Sequence, residues 1–226
     1  MRIEWFEADS FRNLAPGRCE FAPGVNLIAG KNGQGKTNLL EGLYLFCGQK
    51  SFRTTRDAEL PSFGTPKAEL RCGVFSGGRE QTLDLCVTTR RTAARNGIAC
   101  ERVSQLGETV ACVVFSPAHT GIVSGGPEQR RAFLDVAVTG TKPAFTATLR
   151  EFDKLLYHRN YLLKKLSERR DDETADLLAA YTQRFAAVAA RVYAARSRYT
   201  RRLAETAPDL YAELSGGEQL LMEYKP

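Results

Sequence analysis

Histidine is scarce in this sequence. His119 and His158 are the only two in 226 residues, and neither has ligand or triad spacing around it. That excludes a catalytic histidine and a histidine-based zinc site. The six cysteines include no C-x-x-C pair and sit in apolar runs, so they are expected as reduced, buried thiols. No apolar stretch approaches the roughly 20 residues that span a bilayer. The first residues, "MRIEWFEADSFRN", alternate polar with apolar and carry acids, which is not a signal peptide. A cytoplasmic protein is the expectation. No internal repeat and no low-complexity segment interrupts the chain.

What is present is an ordinary globular composition, 43% hydrophobic and 26% charged. The net charge of +6 is unevenly placed. Residues 127–206 hold sixteen Lys and Arg against ten Asp and Glu, while the rest of the chain holds sixteen of each. A basic segment of this kind fits a polyanion partner, most often nucleic acid. A solvated helical face would give the same count, and charge alone leaves both readings open.

The first half reads as strands with one early helix. "RIEWFEAD" alternates as a strand does. "GVNLIAG" is a short apolar run ending in glycine, as expected of a buried strand. "KTNLLEGLYLFCG" has helical spacing, with Gly48 as its cap. "AELRCGVF" and "EQTLDLCVTT" form a predicted hairpin about Ser-Gly-Gly-Arg, and "TVACVVF" a further strand. After Gly125-Gly126-Pro127 the period becomes helical to about Leu203, with the polar run "SERRDDE" between two long amphipathic stripes. Each helix is expected to span roughly 40 Å. Arg184, Arg191 and Arg198 recur every seven residues on an exposed flank and are the candidate DNA contacts. Pro208 is expected to end the helical region. The predicted organisation is a head (1–126), a basic helical lobe (127–207) and a strand returning to the head (208–226).

"GKNGQGKT", Gly30 to Thr37, fits G-x-x-x-x-G-K-[ST] at every fixed position. Glycines allow the backbone to wrap a polyphosphate with its N–H groups inward. The helix that follows adds unpaired N–H groups and the positive end of its dipole. Lys36 is assigned to the β- and γ-phosphates and Thr37, through its hydroxyl, to Mg²⁺.

A phosphate loop alone does not distinguish a kinase, a GTPase and an ABC-type head. Around it stand "SFRNL" (Ser10 to Leu14), "NGQGKTNLLE", "SFRT" (Ser51 to Thr54), "VVFSP" and "GGPEQRRAFLD" (Gly125 to Asp135), in that order. This series resembles the RecF family of the SMC/ABC-type ATPases across essentially the whole chain. The resemblance implies an α/β P-loop head with a mixed sheet and an inserted helical lobe. It carries Gly30, Lys31, Asn32, Gly33, Gln34, Gly35, Lys36, Thr37 and Asn38 over as the nucleotide-binding loop, and Arg12 and Asn13 as residues beside the nucleotide. It also implies ATP and Mg²⁺ as cofactors, an ATP-dependent homodimer and binding to DNA at single-strand/duplex junctions. Work with RecR and RecO in loading recombinase, and a role in the SOS response, are implied too. Ala118-His119 departs from the acidic pair usual after "VVFSP", and Arg130 and Arg131 fit either the family motif or intramolecular caps.

Hydrolysis in this group needs an acid at the end of a second apolar strand. None is convincing here, and Asp135, after "RAFL", lies in a helical pattern. The catalytic elements are therefore expected beyond residue 226, and this chain is expected to bind ATP but scarcely hydrolyse it. Two other readings stay open: a small-molecule P-loop kinase, and an adaptor that binds ATP without turnover. "LSGGEQ", Leu214 to Gln219, imitates an ABC signature loop. Such a loop must open a helix, whereas "EQLLMEYKP" alternates, so a strand entered through a Ser-Gly-Gly turn is expected.

Overall fold

The computed structural model describes residues 1–169 and 171–225, and the side chains of Pro117 and Ala118 lie outside that description. The chain divides into two compact units, Met1–Ser116 and Pro117–Pro226.

The first unit is built on strands β1 (Arg2–Asp9), β2 (Gly17–Glu20), β3 (Ala68–Ser76), β4 (Arg79–Val87), β5 (Arg91–Arg95) and β6 (Ile98–Ala99). They form one sheet in the order β2-β1-β3-β4-β5-β6, with every pairing antiparallel. The predicted hairpin is β3–β4, turning at Gly77 and Gly78 with φ of 61° and 77°. Two consecutive positive φ values make the tight turn whose twist matches that of paired strands. Alternate residues of β3 and β4 (Leu70, Cys72, Val74, Leu83, Leu85, Val87) are buried. On the same core lies α1 (Lys36–Leu45), whose C-terminal residues bury Tyr44 and Leu45 and lead into buried Phe46. Phe6 and Phe46 meet edge-on at 6.3 Å between ring centroids. Gly42 is needed at this crossing, because a Cβ there would lie 2.7 Å from Phe6 Cζ. Close approach outweighs the roughly 1 kcal/mol that glycine costs inside a helix.

Two predicted strands do not form. Residues 24–30 and 109–116 have no regular structure. Val25 and Leu27 are 96% and 90% exposed, Val113 and Phe115 97% and 92%. Their composition suits strands, but a strand exists only through a neighbour, and the described residues offer neither segment a ladder partner. The mixed sheet expected of the fold is accordingly antiparallel throughout among the described residues.

The second unit contains α2 (Gly121–Ser124), α3 (Pro127–Thr141), α4 (Phe145–Glu168), α5 (Asp172–Ala204) and α6 (Ala207–Ser215). Pro127 opens α3, as its fixed φ and missing N–H favour. The boundary between units falls ten residues earlier than the glycine break because α2 docks on α3. Arg130 donates through Nη1 to the Gly125 carbonyl at 2.8 Å. This bond stays within the second unit and involves Arg130 alone, so it is not the cap or ion pair to the head that was one expectation for the arginine pair. The antiparallel pair α4–α5 buries Leu155, Leu162, Val188 and Val192, with Phe152 and Phe185 rings 5.2 Å apart. With 24 and 33 residues they run about 36 and 50 Å, so the second is longer than predicted. Asp171 caps α5 by accepting from the Thr174 N–H at 2.7 Å. Arg196 grips Asp135 with two 2.7 Å bonds, which fastens α5 to α3.

The chain's end differs from both sequence expectations. Pro208 opens a helix, α6, instead of ending the helical region. Ser215 is the last residue of α6. Gly216 follows in the left-handed conformation (φ 79°), and the Gly217 N–H donates to the Ala212 carbonyl at 2.8 Å. That is a Schellman-type stop. Residues 216–225 form no strand, so the expected return strand is corrected as well. Pro226 lies outside the described residues.

Candidate nucleotide-binding site

The loop Gly30–Gly35 is exposed up to Gln34 and turns through Gly30, Gly33 and Gly35, all at positive φ. Gly35, at φ 90°, immediately precedes α1. A Cβ on it would sit 2.8 Å from Leu14 Cδ2 and 3.1 Å from Asn13 Oδ1, so both backbone and space demand glycine. Lys36 folds back over the loop and donates from Nζ to the carbonyls of Gly30 at 2.7 Å and Lys31 at 2.8 Å. Thr37 is exposed in the first turn of α1, and its hydroxyl makes no hydrogen bond among the described residues. A hydroxyl presented this way at a helix start fits one ligand position of a phosphate-bound Mg²⁺. Beside the loop lies a cavity of about 330 Å³ lined by Gln34, Gly35, Lys36, Ile28, Leu14 and Arg18.

The residues predicted beside the nucleotide brace this loop from outside. Asn13 Nδ2 donates to the Gly33 carbonyl at 2.6 Å, and Asn38 Nδ2 donates to Asn13 Oδ1 at 2.6 Å. Arg12 stands at φ 53°, rare for a residue with a side chain. Its turn is held by the Arg12 N–H donating to Leu60 O at 2.9 Å and Ser62 Oγ donating to Arg12 O at 2.7 Å. The Arg12 guanidinium reaches Glu41 on α1, with Nε to Oε2 at 3.0 Å and Nη2 to Oε1 at 2.8 Å.

Glu41 is the residue that sequence reasoning missed. Its carboxylate is completely buried. Besides Arg12 it accepts from Ser51 Oγ and, at 3.2 Å, from Arg53 Nη1. Arg53 also donates to Asn38 Oδ1. One buried anion thus ties "FRN", the first turns of α1 and "SFRT" together, and its two arginines leave a net positive charge near the phosphate loop. Burial is tolerable only because every oxygen lone pair facing the interior is bonded. The signal available in the sequence was an acid five residues after the loop lysine, on a helix otherwise apolar around it.

The three DNA-contact candidates all lie exposed on α5, as their heptad spacing required. Arg184 Nη2 and Arg191 Nη2 are bound by Glu151 at 2.8 and 3.1 Å, and Arg198 has no ion pair among the described residues. These hydrogen bonds, Arg184's foremost, hold the Glu151 carboxyl below the usual range. All six cysteines are free thiols. Burial pushes Cys72 up to about 12, and the Cys47 thiol is raised by its hydrogen bond to Cys112 and by burial.

Known proteins resemble this chain in sequence and fold. The AAA domain family matches residues 8–105. RecF of Heliobacterium modesticaldum is 34% identical across 100% of this chain, which covers 61% of that protein. RecF of Geobacillus kaustophilus is 32% identical over 96% of the chain and 59% of its own length. A solved structure of the recombination mediator RecF with ATPrS, from the RecFOR pathway, superimposes with a TM-score of 0.88 at 31% identity. It covers 95% of this chain and 58% of that one. An Smc head with extended coiled coil from Pyrococcus furiosus shares the fold at a TM-score of 0.54 and 17% identity. Fold and loop together define a P-loop ATPase head of the SMC/ABC class. Within that class the chain is similar to RecF proteins along its whole length, and it spans about three fifths of the length of the curated relatives it matches.

Proposed function

We propose that this chain is the nucleotide-binding part of a RecF-type recombinational DNA-repair protein. The observation that carries the reading is the braced loop, with Lys36 over it and Asn13, Asn38, Arg12 and Glu41 fixing it to α1. ATP and Mg²⁺ are its ligands. Loop N–H groups and Lys36 bind the phosphates, and the Thr37 hydroxyl takes one position on the metal. Mg²⁺ supplies charge neutralisation across the phosphates, while Asn13 and Glu41 keep the loop and helix in register.

The complete protein acts as an ATP-dependent homodimer on DNA at gaps and junctions. It helps load recombinase together with RecO and RecR, in the cytoplasm. No described helix is long and apolar enough to cross a membrane, which is compatible with that setting. The basic span 127–206, with Arg184, Arg191 and Arg198, faces the polyanion. The 226-residue chain alone binds nucleotide with negligible turnover.

The test is titration with a fluorescent ATP analogue, with and without Mg²⁺. Binding is expected and should be lost in Lys36→Met; retained binding in that variant removes the nucleotide assignment. Steady phosphate release by this chain, abolished by Lys36→Ala, would overturn the reading that it binds nucleotide with negligible turnover.

A further inference from the structure

The outward side of α4 carries a row that the candidates on α5 do not include. Arg150, Lys154, Tyr157, Tyr161 and Lys164 follow at steps of four, three, four and three, so they form one straight stripe on a helix. All five are exposed, and the tyrosines keep 70% and 58% of their surface in water. The opposite side of α4 is the one buried against α5, through Leu155 and Leu162. Arg150, Lys154 and Lys164 form no ion pair among the described residues, whereas Arg184 and Arg191 are already engaged by Glu151. Asp153 borders the stripe and Glu168 ends it.

We propose that this stripe is a contact surface for single-stranded nucleic acid; the inference rests on the protein being a DNA-binding ATPase. The cations stand at the two ends of a row about 21 Å long, and the tyrosines occupy its middle about 6 Å apart along the axis. Stacked bases of one duplex strand are only ~3.4 Å apart. Two aromatic faces at the wider spacing match bases that have left the stack, on which tyrosines stack without sequence preference. The end cations take the phosphates of the same strand. An acidic polymer without bases would use the cations and gain nothing from the tyrosines. A lipid surface would need a row of aliphatic wedges, and of the leucines of α4 Leu163 alone is exposed.

The experiment measures binding of the full protein, with ATP, to a labelled oligothymidylate, a blunt duplex and heparin over a salt series. Tyr157→Ala/Tyr161→Ala is expected to weaken oligothymidylate binding about tenfold, leaving duplex and heparin within about twofold. Tyr157→Phe/Tyr161→Phe keeps the aromatic faces and should restore it. Arg150→Gln/Lys154→Gln/Lys164→Gln should lower the single-strand salt slope by about 2. An alanine pair that binds oligothymidylate normally, or loses heparin equally, overturns the stripe, as does an unchanged salt slope. If the unmodified protein binds no nucleic acid with ATP, the proposed function falls first and takes this inference with it. If it binds and the variants bind alike, only the stripe falls.

Discussion

Glu41 shows how much one side chain can hold. Two arginines and a serine from separate parts of the chain converge on a carboxylate with no access to water. Deleting it leaves Arg12 partly buried without a counter-charge. Glu41→Ala should therefore cost about 3–5 kcal/mol of the first unit's stability, read from urea unfolding. Glu41→Gln keeps shape and some bonding, so it should unfold between the two; stability equal to the parent in both variants would show the network to be passive. Titration behaviour also belongs to this scale. Burial raises Tyr44 from its usual 10.0 to about 12, and Cys72 from 9.0 to about 12. A raised value means that the folded state holds the proton more tightly. The resulting stability is complete below pH 9 and drains away as pH climbs from 9 towards 12. Thermal melts across that window should fall, and Cys72→Ala should flatten the lower part of the fall. The loop residues were legible in the sequence because their spacing is itself the chemistry. Glu41 was not, because its partners lie 10 to 29 residues away and only the fold brings them together.

At the scale of elements, periodicity read best in long elements that make their own hydrogen bonds or turn tightly on a neighbour. The helices α1, α4 and α5, the helix start at Pro127 and the β3–β4 hairpin were legible, whereas the break between α3 and α4 was not. The failures were segments 24–30 and 109–116, where apolar composition says nothing of whether a partner strand exists. The end of the chain failed differently. Pro208 reads as a breaker, yet proline at a first turn starts a helix as readily as it stops one. A sharper test concerns the α2–α3 junction. A Cβ on Gly125 would fall 1.5 Å from Gln129 Oε1, and Gly121 would meet the same side chain. Gly125→Ala should cost about 1–3 kcal/mol, because its Cβ would displace Gln129 and also lie 2.5 Å from the Gly121 carbonyl oxygen. Gly125→Ala/Gln129→Ala should recover only the part owed to Gln129, as a double-mutant cycle in thermal unfolding would reveal.

For the whole molecule, both units leave apolar chain uncovered, the first at Val25, Leu27, Val113 and Phe115 and the second at Val123, Leu214 and Leu221. Apolar surface of this kind promotes association. The 226-residue chain should self-associate with rising concentration, and Val113→Lys/Phe115→Lys should delay it in light scattering without lowering the melting temperature. A lower melting temperature would mean that these residues contribute to the first unit's own stability. The resemblance to RecF proteins was legible in the sequence because its motifs are spread over the whole length. The division into units was less so, since a glycine break marks a change of secondary structure and not where packing stops.

Lys36 is usually thought of as a charge waiting for phosphate. Here its ammonium also bridges two carbonyls of the loop that it serves. Taking it away removes an attraction and unfastens a clasp together. A methionine at this position thus loosens the cradle before any ligand arrives, and the affinity lost exceeds what the missing charge accounts for. Thr37→Val, which touches neither carbonyl, is the cleaner probe: it should spare metal-free nucleotide binding and diminish only the gain that Mg²⁺ brings.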